Sequence, residues 1–131
     1  MKLTTDTNVL VRAVVLDDPM QAPIAAKILS EASLIAVPLA SLCEFVWVLR
    51  SVYAFKALDA ACAIRSLMAA KNVVMDRLAV EAGLVVLDAG GDFADGVIAY
   101  EGKWLGGDTF VSFDKKAVTL LAAVGLSTRC L

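Results

Sequence analysis

No histidine occurs among the 131 residues. That absence removes Ser-His-Asp and Cys-His nucleophile pairs, paired-histidine ribonuclease chemistry and histidine zinc sites. An enzyme built from this chain has carboxylate, hydroxyl, lysine and arginine to work with. Cysteine is scarce as well. Cys43, Cys62 and Cys130 are widely spaced, odd in number and form no Cys-x-x-Cys pair. This favours a reducing, cytoplasmic setting with cysteines as small core residues. Charge of one sign is also lacking, since the net charge is -2 and the pI about 5.0. The chain therefore has no strong basic footprint for nucleic acid, although a bound cation could supply positive charge locally.

Long uncharged apolar runs are missing too. A membrane span needs roughly 18–20 nearly uncharged apolar residues. Ala32 to Cys43 contains Pro38 and stops at Glu44, and Ala117 to Thr128 is too short and contains Gly125. No transmembrane helix is expected. Lys2 is the only charged side chain before Asp6, so no secretory signal is expected either. Apolar residues are nevertheless abundant, at 60% with a mean hydropathy of +0.76. In a small chain that surplus points to added buried surface, meaning an oligomer or an obligate partner. The length suits one compact domain over residues 1–131.

Short apolar strands alternate with amphipathic helices. Strands are expected at Lys2–Thr5, Leu34–Val37, Asn72–Met75 and Thr109–Ser112, with a short edge strand at Leu126–Arg129. Helices are expected from a Thr7 cap to Leu16, and over Met20–Ala32, Leu39–Ser51 and Lys56–Ala70. Three more run from an Asp76 cap to Asp88, from an Asp92 cap to Glu101, and over Lys115–Val124, the last closed by Gly125. "DDP" at Asp17–Pro19 breaks the first helix. The alternation implies α/β architecture, a short parallel sheet of four to five strands covered by helices on both faces. In such sheets ligands bind beyond the carboxyl ends of the strands. Asp6 follows the first strand and Asp114 the fourth.

Two more places add carboxylates. Glu44 interrupts the apolar helix "SLCEFVWVL", where Leu42, Phe45, Val46 and Leu49 share one face and Glu44 lies on another with Ser41, Val48 and Ser51. It is either a surface residue or a ligand pointing into a cleft. Asp92 and Asp95 share one face of a first helical turn, where a cap and a dipole-favoured charge account for them equally well. Convergence would change the balance. Two carboxylates ~4 Å apart repel by about 1 kcal/mol in water-like surroundings and about 4 kcal/mol at an effective dielectric near 20. A divalent cation would relieve that repulsion, and all-oxygen ligands suit Mg2+ or Mn2+.

"DTNVL" at Asp6–Leu10, Glu44 in "SLCEFVWVL", "DFADGVIAY" at Asp92–Tyr100 and "FVSFDKKA" at Phe110–Ala117 occur in the order found in the PIN-domain family. With "DDPMQA" they make the sequence resemble that family, and within it the VapC-type ribonuclease toxins. The resemblance implies a three-layer α/β/α fold and a Mg2+- or Mn2+-dependent endoribonuclease. Asp6, Glu44, Asp95 and Asp114 would be its acidic quartet, with Asp6, Asp95 and Asp114 on the metal. Asn8 and Ser112 match supporting polar positions, and Asp92 would be an additional carboxylate. The same resemblance implies a homodimer, a cognate antitoxin and an RNA substrate such as transfer RNA. Gly96 departs from it, standing where an alanine or similar helix former is usual. Lys115, Lys116 and Arg12 are candidate contacts to the RNA backbone, or else solvated surface charges.

Two other readings compete. A phosphorelay receiver would use Asp76 and Lys115, but the paired acids expected after its first strand are absent. A non-catalytic PIN-like interaction module would explain the apolar surplus.

Overall fold

The computed structural model describes residues Met1–Leu131. The chain forms two compact units, Met1–Asp76 and Arg77–Leu131.

The first unit contains β1 (Lys2–Thr4), α1 (Thr7–Val15), α2 (Gln21–Glu31), β2 (Leu34–Ala36), α3 (Leu39–Ser51), α4 (Ala57–Ala69) and β3 (Val73–Val74). The strands pair in parallel in the order β1-β2-β3, with Leu3 opposite Ile35 and Ile35 opposite Val73. Parallel pairing demands a crossover between strands, and the helices supply it. The "LDDP" break works as expected. Leu16 takes a left-handed conformation at φ 59 and ends α1. One oxygen of Asp18 then accepts the backbone N–H groups of Met20 (2.9 Å) and Gln21 (2.8 Å) and starts α2. Leu42, Phe45, Val46 and Leu49 are the buried face of α3, as their spacing predicts. Leu10 and Val11 of α1 are buried, as are Ala60, Ala61 and Ile64 of α4, and α1 and α4 both pack on α3.

The second unit contains α5 (Arg77–Asp88), α6 (Phe93–Trp104), β4 (Phe110–Ser112), α7 (Lys115–Ala123) and β5 (Thr128–Cys130). β4 and β5 pair in parallel, and α7 packs on both. Gly125, at φ +91, closes α7 in the left-handed conformation expected of it. The five expected strands are thus all present, hydrogen-bonded as ladders of three and two. The fold is mostly helical α/β. α6 runs past the expected Glu101 to Trp104, because the first left-handed stop is Gly106 at φ +99. β5 starts at Thr128 rather than Leu126, where the Phe110–Thr128 pairing begins.

α5 and α6 meet through glycines. A β-carbon on Gly96 would strike the backbone of Ala82 and come within 2.8 Å of Gly83 Cα. One on Gly83 would reach 2.6 Å from the Phe93 ring. Gly96, which stands where an alanine is usual, leaves no room for a side chain. It is what lets two helix backbones touch, and Phe93 and Val97 are buried beside it.

Candidate functional site

In the first unit the chain leaves β1 at Thr5 and turns into α1 at Thr7. Asp6, not Thr7, caps the helix: its Oδ1 accepts the Val9 N–H at 3.2 Å. Both residue types can cap, so the sequence alone favours neither. Thr7 is the first helical residue and shares the buried face of α1 with Leu10 and Val11. Its hydroxyl consequently points into the α1–α3 contact and donates to Glu44 Oε2 at 2.7 Å. The Ser41 carbonyl lies at a marginal 3.5 Å from the same hydroxyl. Ser41 Oγ donates to the Thr5 carbonyl at 3.0 Å, which ties the first turn of α3 to the end of β1. Asp6 and Glu44, 38 positions apart in sequence, are thereby gathered at one corner of this unit, and both are exposed. Asn8 is exposed beside them. The Thr5 hydroxyl, on the residue before Asp6, is buried and has no hydrogen-bond partner.

In the second unit, Asp92 caps α6 by accepting the Ala94 N–H at 3.1 Å. Asp95 lies in the first turn and is half-buried. Asp114 caps α7, its Oδ1 accepting the N–H groups of Lys116 (3.0 Å) and Ala117 (3.2 Å). Ser112 supports that turn, since its Oγ accepts the Asp114 N–H at 3.0 Å. Asp95 feels both neighbouring carboxylates. Burial first, then the negative charges of Asp92 and of Asp114, holds the Asp95 carboxyl above its ordinary value.

The expected residues therefore fall into two groups, Asp6, Asn8 and Glu44 in the first unit and Asp92, Asp95, Ser112 and Asp114 in the second. Within neither unit do three acidic or sulfur side chains come close enough to chelate one ion. The donor set suits a hard cation, being carboxylate and hydroxyl oxygen throughout. Lys115 and Lys116 are exposed just past Asp114. Arg12 is engaged elsewhere, donating to Gln21 Oε1 at 2.7 Å and to the Tyr53 hydroxyl at 3.3 Å, with Asp17 and Asp18 nearby. Thr7, read from the sequence as the helix cap, instead meets Glu44, a contact that sequence reasoning missed.

In both units carboxylates stand at the ends of parallel strands or in the first turns of the following helices. A PIN-domain family model matches residues 3–120, and the chain belongs to that family. PIN domains are generally nucleases, hydrolases of phosphodiester bonds, and typically use divalent metal ions. A nuclease-type function, with RNA binding suggested, follows for the chain in those general terms. No curated relative matches it. No helix is long and apolar enough to cross a membrane.

Proposed function

We propose that the chain is a Mg2+- or Mn2+-dependent endoribonuclease, the toxin component of a VapC-type toxin–antitoxin pair, acting as one PIN-like domain over residues 1–131. Asp6, Glu44, Asp95 and Asp114 are its catalytic acids, and Asp6, Asp95 and Asp114 hold the metal. Asn8, Asp92 and Ser112 support them. The observation that carries this reading is the cluster at Asp95, a half-buried carboxyl raised by burial and by the negative charges of Asp92 and Asp114. Such an arrangement costs stability, and perturbed carboxylates concentrate at functional sites.

A divalent ion bound there would offset the negative charge, lower the pKa of a bound water and stabilise charge on the phosphate. Asp6 and Asp114 each commit one oxygen to a helix cap, Oδ1 in both cases, which fixes the orientation of the second. Glu44 orients the attacking water and accepts its proton. Lys115 and Lys116, exposed just past Asp114, attract the RNA backbone. The cellular assembly is a cytoplasmic homodimer restrained by its antitoxin, with transfer RNA among the candidate substrates.

A non-catalytic interaction module is favoured by one feature, the exposure of Trp104, Leu105 and Phe113. Mapping the cleavage ends in total RNA, with and without Mg2+, separates the readings. New 5′ or 3′ ends that appear only with the metal support the nuclease, and an unchanged RNA pool contradicts it.

A further inference from the structure

We infer that Thr7 is the positioning residue for Glu44, a role that rests on the reading of Glu44 as a catalytic acid. Three observations converge on it. Thr7 is buried, whereas Asp6 and Asn8 on either side are exposed. It does not cap its helix, a task already done by Asp6. Its hydroxyl is 2.7 Å from Glu44 Oε2, within the short range of bonds to a charged acceptor.

A glutamate on an exposed helix face has three side-chain torsions and samples many rotamers. Holding Oε2 on a buried hydroxyl removes most of that freedom. Oε1, on the same planar carboxylate, then has a fixed direction. The anchor is itself rigid. Thr7 is β-branched, sits in a helix, and packs between α1 and α3 with Leu10 and Val11. The Ser41–Thr5 bond fixes the register of α3 against β1, so the hydroxyl and the carboxylate meet without strand or helix sliding. The tripeptide Asp6-Thr7-Asn8 therefore serves two carboxylates. It carries one and aims the other.

The test compares Thr7→Val, Thr7→Ala, Thr7→Ser and Glu44→Ala with the wild-type chain. Cleavage of a defined RNA is measured in Mg2+, and the carbon-13 signal of the Glu44 carboxyl is followed in metal-free protein. Thr7→Val lowers kcat by about tenfold or more with KM unchanged, as expected for a misplaced catalytic group. Thr7→Ser restores both kcat and the wild-type Glu44 signal, which Thr7→Val shifts. Adding Thr7→Val to Glu44→Ala costs nothing further. Thr7→Ala removes the same hydroxyl and gives the same result if the valine variant does not fold. Wild-type kcat in folded Thr7→Val or Thr7→Ala, while Glu44→Ala is impaired, overturns the positioning role alone. Wild-type cleavage by Glu44→Ala overturns the reading of Glu44 and this inference with it.

Discussion

Gly96 of α6 lies directly against the backbone of Ala82 on α5, with no space for a side chain between them. Alanine is the better helix former by about 1 kcal/mol. Here the neighbour is main chain, which cannot swing aside, and the helices must separate. Gly96→Ala is therefore expected to destabilise the protein by about 1–3 kcal/mol, read as a lower denaturant midpoint. Stabilisation would mean that α5 and α6 are not packed this closely.

Asp95 gives a pH dependence with a definite sign. Its carboxyl is held above the ordinary 3.8 by burial and by Asp92 and Asp114. The folded state thus binds this proton more tightly than the unfolded chain does, and stability falls as pH rises from 3.8 through the raised value. At neutral pH the charged group opposes folding. Asp95→Asn should raise the metal-free melting temperature, by about 1–4 °C, because a half-exposed charge is solvent-screened to under about 1 kcal/mol. The gain should shrink on acidification and vanish below 3.8. Differential scanning calorimetry in chelator across this range checks it.

Divalent metal should act on the same group in the opposite sense. Saturating Mg2+ raises the melting temperature of the wild-type chain, because ligand linkage stabilises the folded state by about 2.7 kcal/mol at a hundredfold excess over Kd. Asp95→Asn should lose most of that increment while melting higher without metal. An equal Mg2+ response in both proteins would remove Asp95 from the ligand set.

Arg12 is expected to behave as a structural clasp and not as an RNA contact. It joins α1 to Gln21 at the start of α2 and to Tyr53 after α3. Arg12→Ala should lower the melting temperature and leave RNA affinity unchanged in a filter-binding titration. Lys115→Ala with Lys116→Ala should do the reverse, weakening binding and flattening its salt dependence.

Periodicity and punctuation carried much of the architecture. The buried face of α3 followed from the spacing of Leu42, Phe45, Val46 and Leu49, because a helix of 3.6 residues per turn leaves one choice of stripe. Gly125 and "DDP" stopped their helices for reasons local to the backbone. What escaped the sequence was tertiary. Thr7 and Asp6 are both good capping residues; Asp6 caps, and Thr7 bonds a glutamate far along the chain. Gly96 looks like a weak helix residue until its neighbour Ala82 is known. The division of five strands into ladders of three and two depends on pairing that no local pattern encodes. The acidic positions were readable one by one as strand-end and helix-start residues. The repulsion at Asp95 needed the fold.

The most direct measurement is RNA cleavage by the purified chain in Mg2+, beside Asp6→Asn, Asp95→Asn and Asp114→Asn with circular dichroism to show that each remains folded. Cleavage by the wild-type chain that chelator stops, and that each folded variant loses by at least about a hundredfold, is the predicted result. Cleavage that persists undiminished in the folded variants would contradict the acidic metal centre.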